Sequence, residues 1–274
     1  MDSNQPDPSQ DIECTQHDFT AFKQVMRIMH EMLGNVHIDM IFECNHKYPT
    51  KYRILITQLD PTKSVCVRVS LVSTGQLFLN WFDTKRTFNI NLSEFVEALN
   101  KLDPTIPLYI CTKRPNGMMY VSNLYSNNEH RVQTYQQTEP SIPIPVQNFA
   151  LKVTLKSADM LGILSAANEI NNGSILKITL TDSQIQFQAR TYQQFIQFHH
   201  DEQIDGEPVM ISNSYRTSDL CKLFQTGTEV CPYMELYMKE NSLLLIKMDT
   251  QVGIMYVFFT PYVAPETKEL SGSE

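Results

Sequence analysis

The sequence lacks an excess of positive charge: 22 Lys and Arg stand against 30 Asp and Glu, a formal net charge of −8 over 274 residues. Proteins that hold DNA by direct phosphate contact are mostly basic, because their affinity comes largely from counterion release. The balance argues against a conventional DNA-binding module. It leaves open a protein that holds DNA by enclosing it, which needs only a local positive lining. Paired cysteines are also missing. The six cysteines (Cys14, Cys44, Cys66, Cys111, Cys221, Cys231) are scattered, with no CxxC. That fits thiols in a reducing, intracellular compartment rather than a disulfide framework, and two Asn-x-Ser sequons at Asn91 and Asn172 are then accidental. Long apolar runs are absent. Leu243 to Ile246 and Ile254 to Phe259 are far too short to span a membrane. Met1 to Gln16 is polar and acidic, without the apolar core of a secretory signal, and is expected to be a frayed tail. Glu266 to Glu274 is expected to be loose too.

Enzyme signatures are missing as well. There is no GxGxxG, no P-loop, no GxSxG and no HExxH. Cys14-x-x-His17 and Cys44-x-His46 could be metal pairs, but each lacks a second pair at sensible spacing. His199-His200 beside Asp201-Glu202 reads as a solvated loop, and the carboxylates show no paired acid/base pattern. The reading is of a chain that is not an enzyme and needs no cofactor or metal. A metal-dependent hydrolase is the remote alternative.

What is present is core-forming material, 42% hydrophobic, in a chain long enough for two domains of about 100 to 150 residues. Four stretches carry helical periodicity. In Thr20 to Leu33, Phe22, Val25, Met26, Met29 and Leu33 share one face, while Lys23, Arg27 and His30 share another. In Leu92 to Leu102, Leu92, Phe95, Val96 and Leu99 face one side and Glu97 and Lys101 sit at i, i+4 on the other. Ala158 to Ile170 follows Ser157, a fitting N-cap, with Met160, Ile163, Leu164, Ala167 and Ile170 as its stripe. Tyr215 to Gln225 is shorter and weaker.

Strand patterns lie between them: Tyr52 to Leu59, Ser64 to Leu71, Ile106 to Cys111, Met118 to Tyr125, Ile175 to Leu180, Gln184 to Ala189, Gln194 to His199, Tyr233 to Met238, Leu243 to Met248 and Gly253 to Phe259. Arg114 to Gly117 is a hairpin turn. The order helix, strands, helix, strands occurs twice. Between the halves, Gln136 to Gln147 holds Pro140, Pro143 and Pro145, which rules out helix and central strand. It reads as an extended connector.

At this point the chain resembles the proliferating-cell-nuclear-antigen family of DNA clamps, over roughly residues 19 to 262. Leu59 to Val67 (Leu-Asp-Pro-Thr-Lys-Ser-Val-Cys-Val) is similar to the family's Met-Asp-Ser-Ser-His-Val-Ser-Leu turn, one residue longer and without its His. Asn91-Leu92-Ser93 matches the family's Asn-Leu-Thr-Ser, and Val257 to Pro261 its closing Tyr-Tyr-Leu-Ala-Pro, with Met248-Asp249 to Gly253 before it.

The resemblance implies an α+β processivity fold: two similar domains, each with two inner helices and outer antiparallel sheets, three chains closing a homotrimeric ring. The implied boundaries are an N-terminal tail at 1–18, domains at 19–135 and 148–264, a connector at 136–147 and a C-terminal tail at 265–274. The implied function is a sliding clamp, a DNA polymerase processivity factor in replication and repair. It would encircle double-stranded DNA without reading sequence. Its partners would be DNA polymerase, other replication and repair proteins, and a clamp loader, with no membrane. Its place would be the nucleus or, for a divergent viral member, a viral replication compartment.

Carried onto this sequence, the DNA lining would be Lys23, Arg27, His30, Lys101, Lys156, Arg216 and Lys222. The third helix departs from the pattern. Gly162 and Ser165 stand where the family has arginines, so the lining is thin there and DNA contact is expected to be weak and salt-sensitive. The partner-peptide pocket would be Leu59, Val65, Val67, Ile142, Ile144, Phe258, Phe259 and Pro261, with Ser242 where the rim often has proline. Subunits would join by edge strands holding Met118, Tyr120 and Leu124 on one side and Tyr192, Phe195 and Phe198 on the other. The alternative within this fold is a processivity or transcription factor acting as monomer or dimer.

Overall fold

The helix periodicity is realised through its caps. In α1 (Phe19–Leu33) the Asp18 carboxylate accepts the Ala21 N–H at 3.2 Å, and Gly34, at φ 71°, ends the helix by donating its N–H to the His30 carbonyl. The stripe Phe22, Val25, Met26, Met29 and Leu33 is buried, and Phe22 meets Phe95 edge to face. In α2 (Leu92–Asn100) the cap is Asn91, whose side chain accepts the Glu94 N–H at 3.1 Å. In α3 (Ser157–Ile170) Ser157 is the first helical residue. Its hydroxyl goes to the Cys231 carbonyl, tying the helix start to the loop after α4 (Thr217–Gly227). That last helix begins two residues later than its pattern suggests. Tyr215 is a fully buried strand residue, because Ile211, Asn213 and Tyr215 alternate inward.

The computed structural model describes residues 10–45, 48–73, 77–79, 85–113, 118–135, 149, 151–170, 175–181, 184–189, 192–197 and 210–263. The connector 136–147, the turn 114–117, the Asn172 sequon, the polar cluster 199–202 and the C-terminal tail 265–274 lie outside the described residues. The first-half strands are β1 (Gln10–Gln16), β2 (His37–Asn45), β3 (Tyr48–Leu59), β4 (Val65–Ser73), β5 (Leu77–Leu79), β6 (Lys85–Asn91), β7 (Leu108–Lys113), β8 (Met118–Asn123) and β9 (His130–Tyr135). The second-half strands are β10 (Leu151–Lys156), β11 (Ile175–Leu180), β12 (Gln184–Ala189), β13 (Tyr192–Gln197), β14 (Ile211–Arg216), β15 (Tyr233–Met238), β16 (Leu244–Thr250) and β17 (Gly253–Phe259).

Among the described residues the strand pairings are antiparallel, and they repeat. The series β1·β7, β7·β8 and β8·β9 returns as β10·β15, β15·β16 and β16·β17. The set β2·β3, β3·β4 and β2·β6 returns as β11·β12, β12·β13 and β11·β14. One pairing joins the halves: β17 runs against β4 from Gly253↔Leu71 to Phe259↔Val65. With β6·β9 and β1·β5, which are not repeated among the described strands of the second half, this gives a 13-stranded sheet from β10 to β5 and a 4-stranded sheet ordered β13-β12-β11-β14. The helices pack in a row, α2 beside α1, α1 beside α4, α4 beside α3, and one continuous apolar core lies between them and the sheets.

Two findings depart from the sequence reading. Gln10 to Gln16 is a strand, not a frayed end: it pairs with β7 and β5, Cys14 is buried, and the Tyr52 hydroxyl donates to the Thr15 carbonyl at 2.8 Å. Its order comes from tertiary pairing that no local pattern announces. And β8 ends at Asn123, so Leu124 and the 97%-exposed Tyr125, at φ 65°, form a turn into β9.

Candidate functional site

Two surfaces emerge. The first is the outward side of the helix row. Lys23 and His30 are half-buried, and Arg27 is exposed one turn from each. With Thr20, Gln24 and Glu31 these three residues form the α1 side of a groove of about 670 Å³, and Ser93, Val96, Glu97 and Asn100 form the α2 side. His30 Nε2 lies 3.0 Å from the Ser93 hydroxyl, and Lys23 sits 6.0 Å over the Phe19 ring. The other expected cations are exposed: Lys156 just before α3, Arg216 just before α4, Lys222 within it. Lys101 differs, being held by Glu97 at 3.0 Å. Gly162 on α3 has nothing within 4 Å of where a Cβ would stand, so packing does not require glycine there.

The second surface is on the opposite side of the sheet. Register places Tyr237, Leu245, Phe258, Cys66 and Leu59 in one row across β15, β16, β17, β4 and β3. Cys66, Leu245 and Phe258 form a separate apolar cluster, with Leu59, Phe149, Tyr237, Leu243 and Tyr256 packed against it. Burial pushes the Cys66 thiol up to about 11, which makes it an apolar wall and a poor nucleophile. Beside the row lies a polar knot. Glu235 accepts from Lys152 at 2.8 Å, Lys247 at 3.1 Å and the Tyr237 hydroxyl at 2.7 Å. Burial works against its charge, but these three donors prevail and hold the carboxyl down at about 2.

The expected pocket is therefore split by the pleat. Leu59 and Phe258 belong to the outer row, with Pro261 half-buried close by in sequence, but Val65, Val67 and Phe259 turn into the main core. These three are corrected to core residues: successive side chains of β4 and β17 alternate faces, and both faces are apolar. Ile142 and Ile144 lie outside the described residues. Cys66, Tyr237, Leu243, Leu245 and Tyr256 were missed. The period-two pattern Leu243, Leu245 in one strand and Glu235, Tyr237 in another was the available signal.

The first of the two expected subunit edges is also corrected. Met118 and Tyr120 are on β8, which is paired on both sides, by β7 and β9, and Leu124 is in the following turn. Tyr192 and Phe195 are on β13, which among the described strands pairs with β12 alone, and Phe198 lies outside the described residues. For the cysteine pairs, Cys14 is buried and its thiol pushed up to about 12 by burial, while His46 lies outside the described residues. Among the described residues no group of three His, Cys, Asp or Glu could hold a metal ion, and no helix is long and apolar enough to cross a membrane.

No family model matches the chain. Known structures match it closely in shape. A proliferating cellular nuclear antigen from Entamoeba histolytica superposes with a TM-score of 0.72 at 14% identity, covering 93% of this chain and 100% of the other. The chain has the fold of the proliferating cell nuclear antigens. A Thermococcus kodakaraensis PCNA matches with a TM-score of 0.73 at 13% identity over 92% of this chain and 100% of that one. A chain of a Sulfolobus tokodaii PCNA2–PCNA3 complex matches at 0.67 and 13%, over 91% and 98%. By sequence, an uncharacterized protein of Acanthamoeba polyphaga mimivirus is 22% identical over 264 residues, which is 91% of this chain and 78% of that protein.

Proposed function

We propose that this chain is the subunit of a sliding clamp, a non-enzymatic ring that encircles duplex DNA and tethers polymerase and other replication proteins to it. The observation that carries the reading is the repeat of strand pairing. Within the chain, the third strand of one sheet, β4, receives the last strand of the other half, β17. Their equivalents are β13 and β9, and β9 meets β6 only at Thr134 and Tyr135. Pairing β13 of one chain with β9 of the next repeats the β4·β17 join between molecules and adds the same turn each time. Three chains close the ring, with domains 10–135 and 148–264 joined by the connector 136–147.

The helix row then faces the hole, and the outer row from Tyr237 to Leu59 receives an apolar anchor from a partner peptide. An anchor gains most where it fills a preformed apolar site with a polar rim. A clamp loader, and a nuclear or viral replication site, belong to the same proposal.

Sedimentation tests the assembly: a species near three times 31.6 kDa is expected, and a lone or paired chain points instead to a monomeric or dimeric processivity or transcription factor. Retention tests the function. The protein should stay on closed circular duplex and run off the same duplex once it is cut, and equal loss from both overturns the proposal.

A further inference from the structure

We infer that duplex phosphates touch this ring along one basic seam per subunit, formed by the outward sides of the two middle helices, α1 and α4, and are kept off the end helices α2 and α3. The inference rests on the clamp reading and adds where on the inner surface the DNA is held.

The helix row α2–α1–α4–α3 places α1 and α4 in the middle and α2 and α3 at the ends. Charge follows the same division. From Asp18 to Leu33 and from Arg216 to Gly227 the cations are Lys23, Arg27, Arg216 and Lys222, against the carboxylates Asp18, Glu31 and Asp219. Asp18 is engaged as the α1 cap. From Asn91 to Lys101 and from Lys156 to Ile170 the cations are Lys101 and Lys156, against Glu94, Glu97, Asp159 and Glu169. All four of these carboxylates are exposed, and Lys101 is neutralised by Glu97 at 3.0 Å. The middle pair is thus net positive and the end pair net negative.

Screening makes the division matter. At physiological salt a charge is felt over about 8 Å, less than the width of one helix with its side chains, about 10 Å. A phosphate over α1 therefore senses Lys23 and Arg27 and little of the chain's overall −8. A phosphate over α3 meets Asp159 and Glu169 and no cation within the helix. The groove between α1 and α2 marks the boundary, basic on the α1 wall and carrying Glu97 and Asn100 on the other. In a closed ring α3 of one chain comes next to α2 of its neighbour, so the two acidic ends meet at each junction. The duplex is held at three seams and repelled from three junctions.

The test uses the full chain as the assembled ring. Lys23→Ala/Arg27→Ala/Lys222→Ala is compared with Lys101→Ala/Lys156→Ala, both confirmed by sedimentation to assemble as the wild type does. Affinity for a short duplex is titrated across salt concentrations, and retention on circular duplex is measured in parallel. The seam variant should bind about tenfold more weakly. Removing one phosphate-binding cation also lowers the slope of log affinity against log salt by about 0.9. The other variant should change affinity less than about twofold. Equal weakening by the two variants, or none by the seam variant, overturns the inference while wild-type retention on circles leaves the clamp reading standing. A wild-type protein that is not retained on circles overturns both.

Discussion

The helices α1 and α3 occupy equivalent places in the two halves, each following the first strand of its half and packing beside α4. Their buried sides are alike: Phe22, Val25, Met26 and Met29 in one, Met160, Ile163, Leu164 and Ala167 in the other. Their outer sides are not. One carries Lys23, Arg27 and His30, the other Gly162, Ser165 and Ala166. The fold constrains the inner stripe because a cavity in the core is costly. The outer stripe bears no packing duty, so charge there is free to differ and marks the side on which selection for a ligand would show.

Four substitutions probe how far the likeness inside and the contrast outside extend. The largest effect should come from the shared inner stripe. Phe22→Ala removes a fully buried ring that meets Phe95 and should cost about 3–5 kcal/mol in thermal or denaturant unfolding. Because one core runs through both halves, a single transition is expected, and two separated transitions would show that the halves are independent. Next is the join between them. Gly253 has φ 148°, and a Cβ there would stand 2.2 Å from the Ser70 carbonyl oxygen. Gly253→Ala should cost about 3 kcal/mol, the upper end for such backbone, read from the shift in denaturant midpoint. A neutral result would mean that β17 and β4 are not held this closely.

Smaller and opposite in sign is Gly162→Ala. With open space around its Cβ position and an interior helical site, alanine should stabilise by about 1 kcal/mol. Destabilisation would show that the bare side of α3 is packed against something after all. The last effect is read against pH and belongs to Glu235. Its carboxyl is held at about 2 rather than 4.5, so the stability it contributes is present above pH 4.5 and is lost as pH falls toward 2. Glu235→Gln should flatten unfolding against pH within that window and leave the profile above it unchanged in shape.

Helices were the legible part of the sequence. Their apolar residues recur at helical spacing, and α1 and α2 match their patterns within two residues at either end. Strands β9 and β1 were not legible. β9 buries Val132 alone, and β1 owes its order to distant partners. That gap misplaced the expected subunit edge, since without β9 the strand β8 looks like a border. The proposed partner surface was half legible for a different reason. Alternation in Val65-Cys66-Val67 and Val257-Phe258-Phe259 fixes which residues share a face, but with apolar side chains on both faces it does not say which face is inside. Only the register with Leu245 and Tyr237 decides it. The basic residues of α1 could be read at once, because periodicity set them opposite the stripe.

The ladder that runs unbroken from β16 through β17 and β4 into β3 has a mechanical meaning. An arc built this way has no waist: bending it between its halves would shear seven register pairs and the core beneath them together. In the proposed ring, a bracelet of three such stiff arcs would open only at its clasps.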